Sequence, residues 1–137
     1  MASRIPKEVK KEIVDDWIAE PTWKVALFKS TSNCNTDGTS TYAQCQADGN
    51  QCTGTGYTAG GATLVGRAGA YINVTNRRLA ATNATWTSAT ITGIRYAVVY
   101  ETAGGLIRFV YDLASDYSVT NGTFTITWNT DGLAKVK

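Results

Sequence analysis

The chain has 137 residues, about one domain's worth of polypeptide, with 43% hydrophobic, 10% aromatic and 18% charged residues and a formal net charge of +2. That apolar fraction excludes disorder along the whole chain, and so mild a positive charge argues against phosphate-backbone binding, so no nucleic-acid partner is expected. Histidine is absent, which removes the usual general base and the commonest metal ligand; neither catalysis nor a cofactor is expected.

Threonine, about 15% of residues, stands beside Asn, Ser and 13 Gly, a mixture that favours strands and turns over helices. The chain reads as mainly β: a single antiparallel β-sandwich, jelly-roll-like or related, at residues 22–137, preceded by a helical arm at residues 1–21.

Residues 5 to 19 place Ile5, Val9, Ile13 and Trp17 four apart, with Val14 and Ile18 widening the stripe, and this spacing predicts an amphipathic helix. Ser3 suits the N-cap, Pro6 the first turn, and Pro21 forces an end. Two readings stand: the helix covers the open side of the sheet, or it is an arm whose stripe docks on another subunit, since so short a helix is marginal alone. The same residues lack the continuous apolar run of a signal peptide, and no stretch approaches eighteen apolar residues, so synthesis in a cytoplasm and no membrane partner are expected.

Thr22 to Lys29 alternates Trp23, Val25 and Leu27 with Lys24, Ala26 and Phe28, which predicts the first strand. Residues 30 to 61 lose all periodicity and hold Cys34, Cys45 and Cys52. An odd count cannot close completely within one chain; the readings are one loop-tying disulfide or three plain thiols. A zinc ion on three thiolates would need Asp48 or Asp37 as fourth ligand, and no metal is expected. A loop this long usually has a job or a partner; alternatively Ser40 to Gln46 forms a short edge strand and a disulfide pins the rest. Gly54 to Gly61 is as glycine-dense as a phosphate-cradling loop, but it lacks the Gly-Lys-Ser/Thr ending and no helix pattern follows.

Strands are then predicted at Ala62–Val65, Ala70–Thr75, Arg78–Trp86, Ala89–Tyr100, Leu106–Ala114 and Ser118–Trp128, with Leu133–Val136 as a last edge. Residues 102–105 mark one hairpin, and Asn121-Gly122 suits a second turn. In the run that follows, Phe124, Ile126 and Trp128 alternate with Thr123, Thr125 and Thr127, an apolar side against a hydroxyl side. Ser88, Thr90 and Thr92 make a second hydroxyl-lined face.

Tyr42, Tyr57, Tyr71 and Tyr117 fall in loops or at strand ends, where a ring with a polar tip suits either an interface or local packing. Arg67, Arg77 and Arg78 form a weak basic cluster, suited to an acidic partner or to guarding a sheet edge. With Ile5, Val9, Ile13 and Trp17 these are the candidate partner-binding residues. Asp15, Asp16, Asp112 and Asp116 read as solvated or ion-paired carboxylates.

The segments GTGYTAGGATL (54–64), TWTSATITGIRYAVVYETAGGLIRFVYDL (85–113) and NGTFTITWNTDGL (121–133) resemble a family of small proteins from tailed-bacteriophage structural gene clusters. The resemblance implies a virion structural protein and no catalysis: a capsid decoration or cement protein on the outer surface of the head, bound to the major capsid protein, or a tail or fibre component acting as a glycan- or receptor-binding or adaptor module. The cysteine-bearing segment departs from the family's pattern. A protein that binds a repeating lattice gains affinity by sitting on a symmetry axis, so a homodimer or homotrimer is expected.

Overall fold

The computed structural model describes residues 7–19, 22–36, 38–71, 77–128 and 134–136. In chain order its elements are α1 (Lys7–Ala19), β1 (Trp23–Phe28), α2 (Tyr42–Gln46), β2 (Gly54–Thr55), β3 (Ala62–Leu64), β4 (Ala68–Tyr71), β5 (Arg77–Ala80), β6 (Ala84–Glu101), β7 (Ile107–Ile126) and β8 (Ala134–Val136). The fold is mainly β, and its strand pairs are antiparallel. Its contacts divide the chain into two compact units, one of residues 21–63 and 84–126 and a smaller one of residues 1–20, 64–83 and 127–137. Residues 1–20 thus share a unit with β4 and β5.

In the larger unit β6 is the spine. β7 runs along one edge of it from Ala84↔Ile126 to Tyr100↔Ile107. The opposite edge is shared, β1 pairing residues 96–101 and β2 pairing Thr90 and Ile91, while β3 lies beyond β1. A strand with neighbours on both edges and cover on both faces needs a nearly continuous apolar run, and β1 and the stretch Ala97–Tyr100 supply one. On one face Ala26, Phe28, Val98 and Tyr100 pack with Cys34 and Cys45; from β1's other face Trp23 meets Phe109 edge-on at 6.1 Å.

The breaks between strands expected at residues 87–88 and 115–117, and the turn expected at Asn121-Gly122, do not form. β6 and β7 continue through them as a ribbon of 18 and 20 residues. The turn-prone residues become bulges instead, with positive φ at Ser88 (47°), Ala114 (67°) and Asn121 (47°). Between the pairs Ile94↔Tyr117 and Tyr96↔Asp112 the register advances two residues on β6 and five on β7. Side chains replace ladder bonds lost at this and the neighbouring irregularities: Asp112 accepts from the Ala114 N–H (2.8 Å), Thr90 from Asn121 (3.0 Å) and Ser118 from Gly93 (3.2 Å). The hairpin expected at residues 102–105 does form, closed by Gly104 and Gly105 at positive φ.

In the smaller unit β4, β5 and β8 make an antiparallel sheet, and α1 packs against β4 and β5. Val14 is wholly buried and Ile13 and Trp17 half-buried, so the helix covers a sheet of its own unit. Arg67 adds a hydrogen bond to the Trp17 carbonyl (2.7 Å). The strand expected at Arg78–Trp86 is interrupted at residues 81–83, where the chain leaves β5 for β6. Trp128 is anchored there, its indole N–H donating to the Thr82 carbonyl (3.0 Å) and its backbone N–H to Asn83 (3.2 Å). No described helix is long and apolar enough to cross a membrane.

Candidate functional site

The long segment after β1 is ordered by its own polar side chains. The Asp48 carboxylate accepts from the backbone N–H groups of Asn33 (2.8 Å) and Asn50 (2.9 Å), and Thr31 donates to Asn50 (2.7 Å). Thr41 and Gln44 form a reciprocal capping box that starts α2: the Gln44 N–H donates to the Thr41 hydroxyl (3.3 Å), and the Gln44 side-chain Oε1 accepts from the N–H of Thr41 (3.1 Å). That box places a helical turn where an edge strand at Ser40–Gln46 was the alternative, because it satisfies N–H groups that an isolated edge strand leaves open. The chain then returns along β1, Lys29 donating to the Asn50 carbonyl and Cys52 to that of Leu27 (2.9 Å each).

This return turns Gln51 inward, where it is 8% exposed. Its Oε1 accepts from the Tyr57 hydroxyl (2.9 Å) and the Gly60 N–H (2.8 Å), and its Nε2 donates to the Tyr42 hydroxyl (2.9 Å). The Tyr57 oxygen in turn accepts from the Leu27 N–H (2.9 Å), and Tyr100 donates to the Gly60 carbonyl (2.7 Å). Tyr42 stacks on Tyr100, ring centroids 4.4 Å apart and 10° from parallel. Burial pushes the Tyr57 hydroxyl well above its ordinary range and that of Tyr100 up to about 12, so both remain neutral donors at physiological pH.

The glycine-dense run 54–61 serves this packing rather than a phosphate. Gly54 and Gly61 have positive φ, and a Cβ on them would lie 1.9 Å from the Thr90 carbonyl oxygen and 1.8 Å from that of Val25. Only glycine lets the loop run so close to β6 and β1.

A cleft of about 390 Å³ opens between Gln46, Gly49, Cys52, Thr53, Tyr57 and Ala59. Its lining carries no carboxylate and no cation. Cys52 is its one sulfur, and burial pushes that thiol up to about 11, which keeps it protonated and a poor nucleophile. The Gln51 amide in its wall is already engaged on both its atoms. The cleft can seat an uncharged group, but its lining holds no acid–base pair. Among the described residues no cluster of His, Cys, Asp or Glu could hold a metal ion.

The other exposed feature is the far half of the ribbon. Thr85, Thr87, Ser88 and Thr92 of β6 and Ser115, Ser118, Thr120, Thr123 and Thr125 of β7 are all exposed, and Tyr117 stands among them at 49% exposure. Arg95 of β6 bridges Asp112 (2.7 Å) and Asp116 (3.6 Å) of β7, so these charges answer one another and the surface around them is hydroxyl and amide. The Arg95 guanidinium holds the Asp112 carboxyl below the usual carboxylate range, helped by the Ala114 N–H.

The structure therefore brings Tyr42 and Tyr57 together through Gln51, and Trp17 and Arg67 together in the smaller unit, while Tyr117 stands apart on β7. Tyr57 is buried and Tyr42 half-buried; Arg78 is half-buried on β5. Ile5 lies outside the described residues, and for Val9, Tyr71 and Arg77 the backbone alone is described. Gln51, the hub of the buried network, has no signature in the sequence, whereas the Thr41-x-x-Gln44 spacing that starts α2 does. No family model, curated protein or solved structure matches the chain.

Proposed function

We propose that the chain is a bacteriophage virion structural protein: a capsid decoration or cement protein that binds the outer surface of the head and stabilises contacts between capsomers of the major capsid protein. The observation that carries this reading is the β6–β7 ribbon, whose far half offers a long strip of exposed hydroxyl groups around Tyr117, with its few charges paired. Such a strip can be buried against another protein without stripping water from unpaired charge, and its hydroxyls both donate and accept. Modest contacts of this kind become firm when several copies engage a repeating surface, which is the reason for a homodimer or homotrimer on a symmetry axis. The sandwich arrangement expected from the sequence, and a location on the virion surface, belong to this reading, as does the absence of catalysis.

The test is co-sedimentation of the purified chain with phage heads stripped of their outer proteins. Saturable binding that survives about 0.5 M salt is expected, because paired and neutral groups give screening little to act on. Failure to sediment with any head, or release by salt alone, contradicts it. The cleft, at about 390 Å³ and uncharged, favours a second reading as a tail or fibre module that seats a sugar. Binding to glycans by the isolated chain, without affinity for heads, would select that reading.

A further inference from the structure

Two of the three cysteines share one buried cluster. Cys45 is the one buried residue of α2, turned inward by the capping box at its start, and Cys34 is buried beside it, its N–H held by the Ser32 hydroxyl (3.2 Å). Both side chains belong to one buried cluster with Ala26, Phe28, Val98 and Tyr100, which holds the two thiols in the same apolar pack. Cys52 is placed elsewhere: its N–H donates to the Leu27 carbonyl, and its sulfur lies against the cleft, 4.0 Å from the Gly93 carbonyl oxygen.

We infer that Cys34 and Cys45 are a redox-active pair that closes to a disulfide under oxidising conditions, with Cys52 remaining a thiol. The inference goes beyond the proposed function and does not rest on it. The oxidant is a low-molecular-weight disulfide such as oxidised glutathione. The Cys34 thiolate attacks one glutathione sulfur, breaks its S–S bond and expels one glutathione thiolate. Cys45 then gives up its proton and attacks the Cys34 sulfur of the mixed disulfide, expelling the second glutathione thiolate. The two protons lost by the cysteines end on the two glutathiones, so the protein loses two hydrogens and one glutathione disulfide becomes two thiols. The order of attack follows from the mutual contact, which favours the thiolate on Cys34 and the thiol on Cys45.

The bond would close a ring around an exposed polar loop in which Asn35, Thr36 and Gly38 are all exposed. A closed ring restricts the unfolded chain more than the folded one, so oxidation should raise the thermal midpoint. A chain kept reduced in a cytoplasm would then gain its staple on reaching an oxidising medium.

The full chain, equilibrated with oxidised glutathione, is denatured, alkylated with iodoacetamide and digested on the amino side of aspartate, which puts the three cysteines in separate peptides because Asp37 and Asp48 lie between them. The expected result is one alkylated cysteine, Cys52, a disulfide joining the Cys34 and Cys45 peptides, and a midpoint higher by at least about 3 °C than that of the reduced chain. Cys52→Ala should keep the bridge and the rise in midpoint, and Cys45→Ala should lose both. Three alkylated cysteines at equilibrium, or a disulfide that includes Cys52, would overturn the assignment whatever the result with phage heads.

Discussion

Gln51 sits where an error in side-chain chemistry is most expensive, because a buried amide has no water to fall back on. Gln51→Leu leaves the Tyr57 hydroxyl and the Gly60 N–H without their acceptor and should lower stability by about 3 kcal/mol. Tyr57→Phe removes the acceptor of the Leu27 N–H and should cost about 1–2 kcal/mol; urea denaturation of the two variants checks both values. The same hydroxyls fix a pH dependence. Tyr57 and Tyr100 are held above the ordinary tyrosine value of 10.0, so in the folded state they bind protons more tightly than in the unfolded chain. Their contribution is complete below that value and is lost as the pH rises toward about 12. Unfolding free energy measured against pH should therefore decline above pH 10, and less steeply in Tyr57→Phe. None of this was legible beforehand. A lone glutamine in a polar loop has no periodicity to betray its burial, and Tyr57 had an interface and a packing reading of equal standing. Gly61 was visible as a glycine, but its reason, the Val25 carbonyl at 1.8 Å from any Cβ, exists only once β1 and the loop are paired; Gly61→Ala should cost at least about 2 kcal/mol.

At the scale of elements, the alternating runs around Trp23, Ile94 to Tyr100 and Phe124 to Ile126 announced the strands that now form β1, β6 and β7. What the pattern could not separate was a turn from a bulge. Asn, Gly and Ser supply positive φ to both, and the outcome depends on whether a residue of the same or the neighbouring strand holds a side chain able to take over the broken ladder bond. At Ala114 that side chain is Asp112 on the same strand; at Asn121 it is Thr90 across the ribbon. Ala114 is held at φ 67°, a conformation that is strained for any residue with a Cβ. Ala114→Gly should accordingly raise stability by about 0.5 kcal/mol after the added freedom of the unfolded chain is counted, a gain readable by thermal denaturation. The helix α1 was legible from its four-residue spacing, although among residues 11–19 the one buried completely is Val14, beside the main stripe. Its contacts with β4 and β5 join stretches far apart in the chain, and no local pattern encodes such pairings.

For the whole molecule, the mainly β character follows from threonine and glycine content and from the scarcity of charge, whereas the division into two units gathers residues 1–20, 64–83 and 127–137 from three distant stretches. What the chain offers a partner is then a property of surface composition: a ribbon rich in hydroxyls, a neutral cleft and ion pairs closed on themselves. Electron cryo-microscopy of phage heads saturated with the chain tests that account most directly. It should show density on the outer surface at symmetry axes, with residues 112–125 of the ribbon against the capsomers. Heads that carry no added density, or copies bound with that ribbon facing solvent, would contradict it.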